Sequence, residues 1–147
     1  MQKNKGFTLI ELLVTIAIIA IIAMLAAPSF QSVIQKNELK AGTEKVLLIL
    51  NDAKNNARLT RQVSVLKIDS SYSVPSTAKA FEVGSDIGKN VSLTSDDKAI
   101  SFLANGLIKV DSGNYPVCLN VKHSKSLNVE YISVTQLGFI TRSNTSC

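Results

Sequence analysis

Few residues in this chain could do chemistry. His123 is the single histidine, and Cys118 and Cys147 stand 29 positions apart. Two thiols and one imidazole do not make a zinc site, which draws four ligands from clustered spacings. The thiols read as a disulfide in an exported chain, or as two buried thiols in a cytosolic one. Gly84 and Gly88 lack the helix context of a phosphate loop. The acids of "SDIG" and "TSDDK" lack EF-hand spacing. His123 lies within "KHSK" and reads as a surface-loop histidine. Asn90 and Asn144 fit glycosylation sequons formally and carry no weight. No catalytic set, cofactor site or metal site emerges, so the expectation is a protein that is not an enzyme.

One carboxylate stands out by its surroundings. Glu11 is the only charge between Lys5 and Lys36, inside "KGFTLIELLVTIAIIAIIAMLAAPSF". From Phe7 to Ala27 the only other polar residues are Thr8 and Thr15. A helix of that length spans about 31 Å, the thickness of a bilayer core, at 1.5 Å per residue. Helix is also the form that satisfies its own backbone in lipid. Lys3 and Lys5 precede the run, which by the positive-inside rule leaves the following chain outside the inner membrane. A cleaved secretory signal would have a shorter apolar core and a small-x-small site. A plain anchor would not need Glu11, since a carboxylate in lipid is costly and marks a specific partner.

These residues resemble the class III signal and N-terminal helix of type IV pilins and type II secretion pseudopilins. The matching features are a short basic leader ending at Gly6, Phe7 next, Glu11 four residues on, and an apolar helix containing Pro28. The resemblance implies cleavage between Gly6 and Phe7 by a prepilin peptidase and N-methylation of Phe7. It implies the inner membrane and its assembly platform as first partners, then other pilin subunits packed through the helix. Glu11 would then answer the Phe7 amine of a neighbour, fixing axial register because a slipped helix leaves both charges unpaired. Pro28 removes a backbone donor and suits a hinge or a simple anchor boundary.

The elements that carry these residues divide into a leader (1–6), a membrane and filament-core helix half (7–28), an amphipathic half (29–61) and a β-rich periplasmic head (62–147). In the second half Phe30, Val33, Ile34, Leu39, Val46, Leu47, Ile49, Leu50, Ala53 and Ala57 recur mostly at three- and four-residue steps. Lys54, Arg58 and Arg61 form a basic stripe that reads as a solvated face. Strands are expected at 62–68, "AFEV", "NVSL", either side of Asn105-Gly106, "VCLNVKH", "LNVEYISVT" and "GFITRSNTSC". Asn105-Gly106 is a hairpin signal because both residues tolerate positive φ. The fold class is α+β, a long helix on an antiparallel sheet.

The late pattern "ISFLANGLIKV … YPVCLNV … NVEYISVTQLGFITRSNTSC" resembles the FimU/FimT/GspH-type minor pilins and pseudopilins, with Thr135-Gln136-Leu137-Gly138 as their corner. Export then makes Cys118–Cys147 a disulfide, stabilising by roughly 3–4 kcal/mol in the chain-entropy model. The implied function is a FimU-like minor pilin at or near the pilus tip that helps initiate assembly. Alternatives are a FimT-like DNA-binding pilin or a GspH-like pseudopilin of type II secretion. The chain carries a formal +5, and 14 basic against 10 acidic side chains remain from Lys36 onward. That is mildly basic and does not demand a polyanion. The arginine cluster of DNA-binding members reduces here to Arg142, leaving Lys122, Lys125 and Arg142 as the possible DNA patch.

Overall fold

The computed structural model describes residues 7–84, 87–143 and 145–147, with backbone alone for residues 26–28. Gly6, the leader and Asn144 lie outside the described residues, as does the Pro28 side chain. The chain divides into two compact units, Met1–Ile34 and Gln35–Cys147.

One helix, α1 (Leu9–Thr60, 52 residues), runs through both units. Thr8 starts it: the Glu11 N–H donates to Thr8 Oγ1 at 3.3 Å and the Leu12 N–H to the Thr8 carbonyl at 3.2 Å. Arg61 ends it with φ of 55°, the left-handed conformation that lets a chain leave a helix. No single helix among the described residues is long and apolar enough to cross a membrane. Leu9–Leu25 and Ser29–Thr60 taken as a bent pair are, by length and composition.

In the first unit every described side chain of the helix is exposed. In the second, Leu39, Thr43, Val46, Leu50, Ala53 and Ala57 are buried. Their alternating four- and three-residue steps make one stripe, the geometry of a helix lying on a core. Phe30, Val33 and Ile34, expected on the same face, are exposed and belong to the first unit.

Among the described residues eight short strands follow: β1 (Ser64–Lys67), β2 (Lys79–Glu82), β3 (Val91–Ser95), β4 (Ala99–Phe102), β5 (Ile108–Val110), β6 (Val117–His123), β7 (Val129–Val134) and β8 (Ile140–Ser143). They form two sheets, ordered β2-β1-β4-β5 and β3-β6-β7-β8. All pairings are antiparallel except β1 with β2, which run parallel with Ser64 opposite Lys79. The α+β class holds, and the head resolves into two sheets where one was expected. Leu66, Ile100 and Phe102 from one sheet and Leu119, Val121 and Ile132 from the other are fully buried. Among the described residues, every buried hydrophobic lies between Leu39 and Val134. The second unit therefore contains a complete core of its own.

The hairpin at Asn105-Gly106 forms with a different turn from the one expected. Only Gly106 has positive φ, at 86°. The Gly106 N–H donates to the Leu103 carbonyl and the Leu103 N–H to the Leu107 carbonyl, both at 2.9 Å. This is a three-residue loop closed by a left-handed glycine. Thr135–Phe139 repeats it: the Gly138 N–H donates to the Thr135 carbonyl at 2.8 Å, the Thr135 N–H to the Phe139 carbonyl at 3.0 Å, and φ at Gly138 is 74°. The corner expected at 135–138 is this turn.

Candidate functional site

The first candidate site is the surface of α1 before the head. Phe7 is 80% exposed and Leu9 81%, and the apolar residues through Leu25 are all open. Such a helix, apolar around its circumference, is stable only when lipid or other protein covers it. Its hydroxyls are already satisfied: Thr8 caps the helix and Thr15 donates to the Leu12 carbonyl at 2.8 Å. The Glu11 carboxylate makes no ion pair among the described residues. It is thus the one charged group of the sleeve, with no ion-pair partner among the described residues. Thr8 is a helix-capping residue that hydropathy alone does not reveal. The signal that finds it is "TLIE", the capping-box spacing ahead of an apolar run.

In the head the three basic residues offered as a DNA patch are not brought together. Strand alternation in β6 turns Val117, Leu119, Val121 and His123 inward, so Lys122 faces out. Arg142 stands opposite Ile132, a buried residue, and so belongs to the inward face. Its guanidinium donates to Glu130 Oε1 at 2.5 Å. Lys125 sits in the turn after β6. Lys122 and Arg142 occupy opposite faces of the sheet, and Arg142 spends its charge on a carboxylate.

His123 corrects the surface-loop reading, because it is 3% exposed. It ends β6 on the core side. Its Nδ1 accepts the Lys125 N–H at 3.2 Å, which assigns the ring proton to Nε2. That proton is donated to Glu38 Oε2 at 2.8 Å. Asn90 Nδ2 donates to the same oxygen at 3.1 Å. The His123 hydrogen bond, with a smaller share from Asn90, holds the Glu38 carboxyl below its ordinary value. The three residues staple α1, the approach to β3 and the end of β6.

The basic stripe of α1 is also more than a solvated face. Lys54 Nζ donates to the Gly138 carbonyl at 2.7 Å and lies 6.0 Å from the Phe139 ring centre. The Arg58 guanidinium covers Gly106, where an added Cβ would sit 2.6 Å from its Nη2. Two cations of the helix thereby hold the two glycine turns. The turns also meet each other: the Ile108 N–H donates to the Gln136 carbonyl at 3.0 Å, and a Cβ on Gly138 would collide with the Gly106 carbonyl oxygen. Cys118 and Cys147 form a disulfide with Cα atoms 5.8 Å apart, as expected for an exported chain. It ties residue 147 to β6. The described residues hold no metal-ligating cluster.

Residues 1–27 match the family model described as the prokaryotic N-terminal methylation motif. The chain is 36% identical over 111 residues to "Prepilin peptidase-dependent protein A" of Clostridium perfringens, covering 75% of this chain and 71% of that protein. It is 53% identical over 38 residues to "Fimbrial protein Q" of Moraxella bovis, covering 26% of this chain and 24% of that protein. It is 29% identical over 100 residues to "Fimbrial protein" of Pseudomonas aeruginosa, covering 67% and 64% respectively. The Moraxella match thus spans about a quarter of that relative's length. No solved structure matches significantly.

Proposed function

Because the chain belongs to the type IV pilin family, we propose that it is a structural subunit that enters a pilus through the helix of residues 7–34. The observation that carries this reading is the apolar sleeve, exposed at every described side chain, whose single charge, Glu11, makes no ion pair among the described residues. Prepilin peptidase removes residues 1–6, leaving a methylated amine on Phe7. The sleeve first sits in the inner membrane as a single pass, with the head outside. It then exchanges lipid for the helices of other subunits. Both surroundings are apolar, so the transfer costs little by the hydrophobic term, and register falls to the one charged pair. We place the subunit near the pilus tip, as a minor pilin that helps begin assembly, on the strength of its compact, disulfide-closed head.

Mass spectrometry of the mature chain should show a start at Phe7 carrying one added methyl. In the producing cell, Glu11→Gln should lower the amount of chain in the sheared filament fraction by roughly tenfold or more, the factor for about 1.4 kcal/mol. Membrane levels should stay unchanged. Equal recovery of wild type and variant in filaments would remove the register role.

A further inference from the structure

Three separate segments of the head meet at Glu38. Its carboxylate accepts from His123, at the end of β6, at 2.8 Å and from Asn90, before β3, at 3.1 Å. The Ser124 N–H donates to the Asn90 carbonyl at 2.8 Å, which ties those two segments to each other. Each segment carries exposed lysine: Lys36 and Lys40 on α1, Lys89 beside Asn90, and Lys125 two residues past His123. At 100° per residue Lys36 and Lys40 lie about half a turn around the helix from Glu38. They line a cleft with Asn128 and Val129, whereas Lys89 shares a cleft with Glu38. The cations therefore surround the start of the head's helix. None of the four makes an ion pair among the described residues.

The β6–β7 turn adds an apolar group at the same end. Leu127 is fully exposed. The backbone that carries it is held: the Lys125 N–H donates to His123 Nδ1, the Ser126 N–H to the His123 carbonyl and the Asn128 N–H to Ser126 Oγ. An apolar tip on a fixed turn loses little freedom when it docks. The sequence says what this end adjoins. Lys36 is the first charged residue after Glu11, and Gln35 alone separates it from the exposed apolar Ile34. The chain thus passes directly from the apolar sleeve into the lysine-bearing end of the head.

We propose that this end of the head is a docking surface for anionic phospholipid, where Lys36, Lys40, Lys89 and Lys125 meet lipid phosphates and Leu127 enters the interface. An anionic bilayer attracts lysines next to a membrane segment, each raising binding about fivefold. Lysine also suits the place, because its stem lies along apolar surface while its charge stays in the headgroups. A free polyanion would match the lysines but leave the leucine bare, and a lipid surface takes both. The contact rests on the pilus-subunit reading and deepens it, since it names the lipid that seats the head while the subunit waits in the membrane. Lys89 and Lys125 join the helix lysines only when β3 and β6 have paired, so a folded head alone presents the full set.

The test uses the full chain, placed in vesicles of phosphatidylcholine and in vesicles of equal parts phosphatidylcholine and phosphatidylglycerol. The chain has no tryptophan, so Leu127→Trp supplies a single reporter. Its emission should shift to the blue, and be quenched by bromine-labelled acyl chains, in the anionic vesicles and not in the neutral ones. Changing the four lysines to glutamine should abolish that difference. Equal emission in both vesicles, from an inserted chain, overturns the docking surface and leaves the pilus-subunit reading standing. A chain that alkaline carbonate strips from both vesicles overturns the membrane stage of that reading. The surface is then decided on the fragment 35–147, which holds the whole core. Its binding to the anionic vesicles should weaken about 25-fold when Lys89→Gln and Lys125→Gln are combined, at about fivefold per lysine. Equal binding of fragment and variant, no binding, or binding of duplex DNA in place of the vesicles overturns it.

Discussion

At the scale of single residues, burial and pairing decide the roles more than residue type does. Glu38 shows how. Its carboxyl is held below its ordinary value, first by the His123 hydrogen bond and then by Asn90. A depressed native value means the folded state binds fewer protons than the unfolded one. Glu38 therefore stabilises above about pH 4.5, and that contribution is lost as pH falls through the lowered native value. Asp69, held down by Ser71, acts in the same direction. Urea unfolding of the fragment 35–147 between pH 5 and 2.5 should show stability falling with acid, and Glu38→Gln should flatten the slope only in part. An unchanged slope in Glu38→Gln would remove the staple. His123 itself was legible in principle. Its odd number places it with Val117, Leu119 and Val121 on one strand face, but the flanking Lys122 and Lys125 make the local string look like a loop.

At the scale of elements, local pattern carries far. The helix end near residue 60, the β6 bounds and the hairpin at Asn105-Gly106 all follow from periodicity and turn chemistry. What the pattern cannot carry is pairing across long separations. The parallel β1–β2 contact joins segments on either side of a Ser- and Pro-containing loop, and β2 is mostly exposed, so no alternation announces it. The grip of Lys54 on Gly138 spans 84 positions and leaves no local mark. The corner glycine was visible, but not why it must be glycine. Gly138→Ala has to pay for positive φ and for collision with a backbone carbonyl, together about 2–4 kcal/mol. Gly113→Ala shares the positive φ but meets open space, and should cost only about 1 kcal/mol. Denaturant midpoints of the two variants, compared with wild type, separate strain from collision.

At the scale of the whole molecule, the two units divide the work. In the first, none of the described side chains is buried, and it carries the family signature. The second holds a closed core and the disulfide. The family was legible because the first unit's constraints are local: a short motif over residues 1–27, a charge and a length. The head's contribution was less legible because its surfaces are assembled from α1 and the two hairpins. The meeting of Gly106 with Gly138 has a consequence for how that head comes apart. Each hairpin belongs to a different sheet, and each turn forms part of the seat of the other. Neither sheet can loosen at that end while its companion keeps its shape. Melting of the fragment 35–147 should accordingly be all-or-none, with calorimetric and van't Hoff enthalpies equal. In Gly138→Ala the ratio of the two should rise above one, as the sheets begin to lose their structure at separate temperatures.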